Sequence, residues 1–179
     1  MPSEWEVYEQ LERYPVGSSQ RAQLLADALE CSVVWIGDDG SPLGVIHWFV
    51  WHEERFFVTS GSKRPRVAAL RARPQSCVIV TGAGTRVGPN LSVSARTRAI
   101  VHDDARTLRW FAAALAAKAH AGQPAMRAQF EQMLIETDRV VIELAPLSFI
   151  SYDGGKMARA LTPPRTLDSV EATSPGITT

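Results

Sequence analysis

The sequence predicts an α+β fold made mainly of antiparallel strands with added helices. Short runs rich in β-branched and aromatic residues recur along the chain, and tight turns such as Gly37-Asp38-Asp39-Gly40 separate them. Two Ala-rich helical patterns lie between the later strands. A chain of 179 residues with 45% hydrophobic composition can bury one sizeable core. We therefore expect a single main domain.

The first 30 residues predict a helical segment. Trp5, Tyr8 and Leu11 recur at helical spacing until Pro15 ends the pattern. Ser18 or Ser19 then caps a second helix, whose inner face is apolar. Both helices are expected to serve a structural role.

Three strands are expected before residue 59 and one soon after it. They cover residues 31–36, 45–51 and a segment that ends at Val58, and the next covers residues 77–80. The second run, VIHWFVW, is apolar on both of its alternating faces. This pattern predicts a central strand that is buried on both sides.

The later chain predicts a loop, a long strand and a helical insertion. Residues 81–90 predict a mobile hairpin loop, with Arg86 at its tip as a candidate ligand contact, and a half-solvated strand follows over residues 91–101. Asp103 or Asp104 caps the first of two helices, over residues 105–119 and 124–135. The insertion therefore covers about residues 103–135, with Met126 and Met133 expected in the core.

The end of the chain predicts a last strand, a turn and a tail. The strand over residues 139–144 is expected to stop at Pro146 and to resume at Ser148. A turn follows at Asp153-Gly154-Gly155. The tail at residues 158–179 carries little hydrophobic material, which predicts disorder.

A local concentration of positive charge marks the segment between the third and fourth strands. Lys+Arg and Asp+Glu balance at 19 each over the chain, yet no acidic residue stands between Ser60 and Pro74. The five basic residues there are Lys63, Arg64, Arg66, Arg71 and Arg73. Pro65 suits the first turn of a short helix, so hydroxyls, backbone N–H groups and guanidinium groups meet where that helix begins. This arrangement predicts a phosphate-binding site, although a surface helix that shows its arginines to water gives the same pattern.

The order strand, T-S-x-S, basic residues, a short helix ending in L-R-x-x-P, and strand resembles the pyridoxamine 5′-phosphate oxidase-like family of flavin-binding proteins. The resemblance covers roughly residues 33–157. It implies a six-stranded antiparallel split β-barrel with added helices, here over residues 31–157, that holds the phosphate of FMN or of the deazaflavin coenzyme F420. It also implies a homodimer with the ring at the subunit interface.

The resemblance assigns nine residues to the cofactor. They are Trp48, Thr59, Ser60, Gly61, Ser62, Lys63, Arg64, Arg66 and Lys156. Arg66 falls where the family usually has a phosphate-binding Lys or Arg, and Lys156 would reach in from the same or the other subunit. Two positions depart from the family: Pro65 replaces a frequently basic residue, and Arg96 replaces a glycine, so Arg96 is either solvent-facing or a second anion contact. No residue is assigned as acid or base, and no metal site is expected.

Three functions remain open from the sequence. The first is a flavin-dependent oxidoreductase acting on a small organic substrate, with FMN as its cofactor and coenzyme F420 as the competitor. The second is a non-catalytic cofactor binder, including a haem protein with His47 or His102 as axial ligand, although a strand histidine beside Trp48 is also typical of a packed residue. The third, nucleic-acid binding, is disfavoured by the zero net charge.

The cellular setting is predicted from two negative patterns. Cys31 and Cys77 make no disulfide framework, which is typical of a reducing compartment. The N-terminal residues are acidic, and no apolar run approaches the roughly 18 residues that span a bilayer. We expect a soluble cytoplasmic protein that has no membrane or nucleic-acid partner.

Overall fold

The computed structural model of the chain describes residues 10–161. The predictions for residues 1–9 and 162–179, which include the start of the N-terminal helix and most of the tail, lie outside the described residues. Leu11–Arg13 forms a single 3-10 turn rather than the end of a longer α-helix.

Residues 10–161 contain seven strands and five α-helices. The strands are β1 Glu30–Ile36, β2 Pro42–Trp48, β3 Val50–His52, β4 Arg55–Gly61, β5 Gln75–Thr81, β6 Leu91–His102 and β7 Arg139–Asp153. The helices are α1 Ser18–Asp27, α2 Pro65–Ala72, α3 Ala105–Ala119, α4 Pro124–Glu136 and α5 Gly154–Leu161.

The strands form one curled antiparallel sheet in the order β2-β1-β5-β6-β7-β4-β3. The predicted α+β class is confirmed, with seven strands instead of six because the apolar run at residues 45–51 breaks at Phe49. The N–H of Phe49 donates to the carbonyl of Leu29 at 3.0 Å, outside the strand ladder. β2 pairs with β1 at one edge of the sheet, and β3 pairs with β4 at the other. The continuous segment of residues 42–52 thus supplies both edge strands of the curled sheet.

The prediction that residues 45–51 are buried on both sides is wrong. Ile46 is 62% exposed and Trp48 is 37% exposed. The physical reason is the position of β2 at the edge of the sheet: its inner face lies over the barrel core, whereas its outer face contacts Phe130 of α4 at Trp48 and is open around Ile46.

Pro146 does not interrupt the last strand. β7 pairs with β6 on both sides of this proline, from Val141 to Asp153, and Leu147 bulges between the pairs Arg96–Ser148 and Thr97–Pro146. A bulge accommodates proline because the missing N–H removes no required ladder bond there. The predicted turn at Asp153-Gly154-Gly155 is also wrong, since α5 begins at Gly154.

Two apolar layers hold the fold together. Inside the curl, Phe49 and Phe56 pack with residues of α1 and α2, and both phenyl rings are fully buried. On the other side, Phe111 and Leu115 of α3 and Leu134 of α4 cover the outer faces of β4 and β7. Both helices of this second layer lie between β6 and β7 in the chain.

The prediction that Met126 and Met133 belong to the core is wrong. They are 47% and 38% exposed, and Leu134 is the residue of α4 that is fully buried. α4 packs through a narrow face, so the neighbouring face that carries both methionines is left open toward the end of β2.

Two local predictions are confirmed. Asp104 caps α3, where its Oδ1 accepts the N–H of Thr107 at 2.9 Å. Residues 82–90 form the loop between β5 and β6, and a Cβ at Gly82 would lie 2.2 Å from the carbonyl oxygen of Gly88. Glycine is therefore required at position 82.

Candidate functional site

A polar pocket of about 280 Å³ lies at the end of β4, where α2 begins. Its lining residues, which we call the anion pocket, are His47, Thr59, Ser60, Gly61, Arg64, Arg66 and Arg139. β4 ends in the hydroxyl and glycine residues, and Pro65 starts α2 immediately afterwards, as its fixed φ favours. Antiparallel pairing of Gly61 with Arg139 brings the start of β7 to the same place.

The charge of the anion pocket is positive and unbalanced. Three guanidinium groups line it, and its lining includes no carboxylate from the part of the chain that the structure describes. Arg64 is exposed at the N-cap of α2, and Arg66 is half-buried beside it. Burial, with a smaller contribution from the charge of Arg64, lowers the pKa of Arg66 from its ordinary value. An anion in this pocket would relieve that repulsion.

His47 holds Arg66 without neutralising it. Nη1 of Arg66 lies 3.1 Å from Nε2 of His47, and because a guanidinium only donates, Nε2 is the acceptor. Burial first, and then the positive charge of Arg66, lowers the pKa of His47 to about 4. The imidazole is therefore neutral near pH 7. The guanidinium also lies 5.7 Å from the ring centroid of Trp35, which further limits its movement.

The two hydroxyls in the anion pocket differ in availability. Thr59 donates its hydroxyl to the carbonyl of Val140 at 2.9 Å. Ser60 is 4% exposed and makes only a long contact of 3.3 Å with the carbonyl of Gly61. Ser60 is therefore the better donor to a bound anion, because turning its hydroxyl sacrifices little.

Five of the nine residues assigned from the sequence come together in the anion pocket, and four do not. Ser62 donates its hydroxyl to Asp138 at 2.6 Å, and Lys63 is exposed outside the lining. Trp48 lies on the opposite face of β2 from His47 and contacts the helical layer. Lys156 donates to the carbonyl of Pro15 at 2.6 Å.

Sequence reasoning missed Arg139 as a pocket residue, and it treated His47 as a packed residue, as a haem ligand or as part of a segment that lies against a flavin. No local signal marks Arg139, because its place depends on pairing between strands that are distant in the chain. His47 carried a usable signal, because alternation along β2 places it on the face opposite Trp48.

The two remaining candidate contacts, Arg86 and Arg96, lie outside the lining of the anion pocket. Arg86 forms a two-point ion pair with Asp27, at 2.6 and 2.9 Å, and its hydrogen bond lowers the pKa of that carboxyl. Arg96 is exposed on the outer face of β6.

A second cleft, of about 310 Å³, lies where β6 leads into α3. There Nε2 of His102 lies 2.9 Å from Glu143, whose other oxygen accepts from Arg55 at 2.5 Å. Both histidines that the sequence offered as haem ligands therefore have their Nε2 atoms engaged. Among residues 10–161, no three His, Cys, Asp or Glu side chains come together as a metal site. No helix in this part of the chain is long and apolar enough to cross a bilayer.

The fold is shared with solved structures of low sequence identity. No protein-family model and no curated protein matches this chain. A conserved hypothetical protein from Mycobacterium tuberculosis superposes with a TM-score of 0.69 at 16% identity, over 89% of this chain and 96% of its own. An F420 reductase superposes with a TM-score of 0.52 at 18% identity, over 75% of this chain and 98% of its own.

A third solved structure also has this fold. A candidate pyridoxamine 5′-phosphate oxidase from Listeria innocua superposes with a TM-score of 0.55 at 16% identity, over 74% of this chain and 95% of its own. Likeness at this identity carries the fold and not the activity. The chain has the split β-barrel fold of the pyridoxamine 5′-phosphate oxidase-like proteins.

Proposed function

We propose that this protein is a flavin-dependent oxidoreductase that holds FMN by its phosphate in the anion pocket and acts on a small organic substrate. The observation that carries the proposal is the group of three guanidinium groups around Ser60 with no carboxylate to balance them. Arginine forks match phosphate oxygens in geometry and charge.

The residues have separate roles in this proposal. Arg64, Arg66 and Arg139 bind the phosphate, Ser60 donates a further hydrogen bond, and His47 orients Arg66. FMN, when bound, supplies the hydride or electron transfer. The protein supplies grip and orientation, and we assign no side chain as acid or base.

The anion pocket has room for only part of FMN. At about 280 Å³ it is below the usual 300–1,000 Å³ of pockets that enclose a whole ligand, so it suits the phosphate and the adjoining chain. The ring would lie along the free edge of β2, where backbone groups are accessible and Trp48 is near. Lys156 would contribute only from a second subunit, because in its own chain it is bonded to Pro15.

We propose a homodimer formed through the outer face of the sheet. Register places Ile46, Ile79 and Ile150 in one row across five strands, with Ser32 and Ser94 between them, and Ile46 and Ile150 are 62% and 70% exposed. An exposed apolar row of this kind favours a twofold contact between identical subunits. Sedimentation is expected to give twice the chain mass of 19.6 kDa, and Ile150→Lys to halve it. A monomeric parent protein would contradict the dimer.

An absorption spectrum and a comparison of ligands test the cofactor. The purified protein is expected to retain or take up FMN, with blue bands that bleach on reduction. Riboflavin, which lacks the phosphate, should bind at least roughly 10-fold more weakly, the equivalent of one charge-assisted hydrogen bond.

The same comparison separates the competitors. Coenzyme F420 also carries a phosphate, and an F420 reductase is among the structural neighbours. If the protein binds F420 and not FMN, the proposed cofactor changes to F420, and the anion pocket keeps its role as the phosphate site. Haem would give a Soret band and would compete with neither phosphate ligand. Equal affinity for riboflavin and FMN would overturn the role of the anion pocket.

A further inference from the structure

An apolar cleft of about 370 Å³ separates the end of β2 from the helical layer. Its lining residues, which we call the methionine cleft, are Trp48, His120, Met126, Gln129, Phe130 and Met133. The two methionines are 47% and 38% exposed toward it. None of these residues lines the anion pocket, so the methionine cleft is a separate feature.

The imidazole of His120 is held by rings rather than by hydrogen bonds. Its centroid lies 5.2 Å from that of Phe130 and 6.4 Å from that of Trp48. The side chain is half-buried, and neither ring nitrogen has a hydrogen-bond partner among residues 10–161. A nitrogen lone pair is therefore available in apolar surroundings.

Two methionines of α4 line the same cleft as this imidazole. Met126, Phe130 and Met133 follow the i, i+4, i+7 pattern, so they share one helix face, and the methionines stand about 10.5 Å apart along the axis. Phe130 lies between them and is the ring that His120 contacts. Methionine is unbranched and flexible, so each thioether can change its reach into the cleft that it shares with His120.

We propose that the methionine cleft is a binding site for a soft monovalent metal ion, Cu(I), with one nitrogen of His120 and the sulfurs of Met126 and Met133 as ligands. Thioether and imidazole ligands favour Cu(I), whereas Mg²⁺ and Ca²⁺ require oxygen ligands and this cleft has no carboxylate. The indole of Trp48, 5.7 Å from Phe130, shields the ion and attracts it through its ring face. Cu(I) binding in the methionine cleft does not depend on a flavin in the anion pocket.

Anaerobic titration of the full-length protein with Cu(I) against bicinchoninate tests the site. One equivalent is expected to be retained with quenching of tryptophan fluorescence, and Trp48→Phe is expected to remove most of the quenching. Met126→Leu with Met133→Leu preserves volume and should lower the affinity at least roughly 10-fold, the smallest loss usual when a group that supports a metal is removed. His120→Asn should do the same.

Matched controls separate this site from other soft ligands in the chain. Met157→Leu changes a thioether that lies against the hydroxyl of Tyr152, and it should leave the Cu(I) affinity unchanged. Cys77→Ala removes the half-buried thiol and should also leave it unchanged, whereas Cys31 is 2% exposed and inaccessible. X-ray absorption of the loaded protein should show both sulfur and nitrogen neighbours.

Three results would overturn the proposal. They are failure to retain Cu(I) against the competitor, unchanged affinity in the double methionine variant, and loss of binding in Cys77→Ala. A fold defect is excluded if the double variant keeps the parent's urea midpoint. Zn²⁺ provides a further contrast, because it should bind the parent and the double variant equally weakly.

Discussion

Replacement of Phe49 by alanine is expected to lower the free energy of unfolding by about 3–5 kcal/mol, the usual cost of emptying a fully buried phenylalanine site. The ring is 0% exposed and packs 5.7 Å from Phe56. Nζ of Lys118 lies 4.1 Å from its centroid and donates to its carbonyl at 3.2 Å. Burial lowers the pKa of Lys118 to about 8. Phe49→Ala would also remove the ring that stabilises the charge of this lysine. Urea unfolding measures the effect.

Phe49→Leu provides the control because it keeps most of the apolar volume. It should retain more than half of the stability that the alanine variant loses. A loss below about 1 kcal/mol in Phe49→Ala would mean that the corner between β2 and β3 is not a packed element, since surface changes have effects of that size.

Arg66→Ala is expected to weaken FMN binding by about 1–3 kcal/mol, or roughly 5- to 150-fold, because one charge-assisted contact to phosphate is lost. Riboflavin binding should not change. The change also removes the donor to Nε2 of His47, so the unfolding free energy of the variant must be measured alongside the affinity. Isothermal titration with FMN, riboflavin and coenzyme F420 gives the affinities.

Arg109→Ala is the matched control, since Arg109 is an exposed arginine of α3 outside the anion pocket. It should leave all three affinities unchanged. If Arg66→Ala bound FMN and F420 as the parent does, the assignment of Arg66 to the phosphate would be wrong. An equal loss for riboflavin and FMN would indicate a general defect instead.

Local patterns predicted most elements of the fold. β1, β5, β6, the Asp104 cap and both helices of the insertion follow from alternation, turn residues and capping. The break at Phe49 did not, because both halves of VIHWFVW have strand composition and only tertiary pairing sends them to opposite edges. The prediction that the last strand stops at Pro146 failed for a similar reason, since a bulge depends on the partner strand.

The candidate site was predictable where it is contiguous in the chain. The residues from Thr59 to Arg66 lie within one strand-to-helix connection, so sequence order alone brings most of them together. Arg139 joins them through strand pairing, and Trp48 departs because neighbouring strand residues point to opposite faces. The exposure of Met126 and Met133 was unpredictable for a related reason: helical periodicity marks an apolar face but does not reveal how wide the covering layer is.

The anion pocket draws its walls from segments as distant as positions 47 and 139, which belong to opposite sides of the curled sheet. A phosphate compound that binds only the folded chain would therefore fasten these segments to one another. At a free concentration of 100 times its Kd it would add about 2.7 kcal/mol to the unfolding free energy. Heat resistance would then vary with cofactor supply, and the empty and loaded forms would differ in how readily a protease reaches the β2 edge.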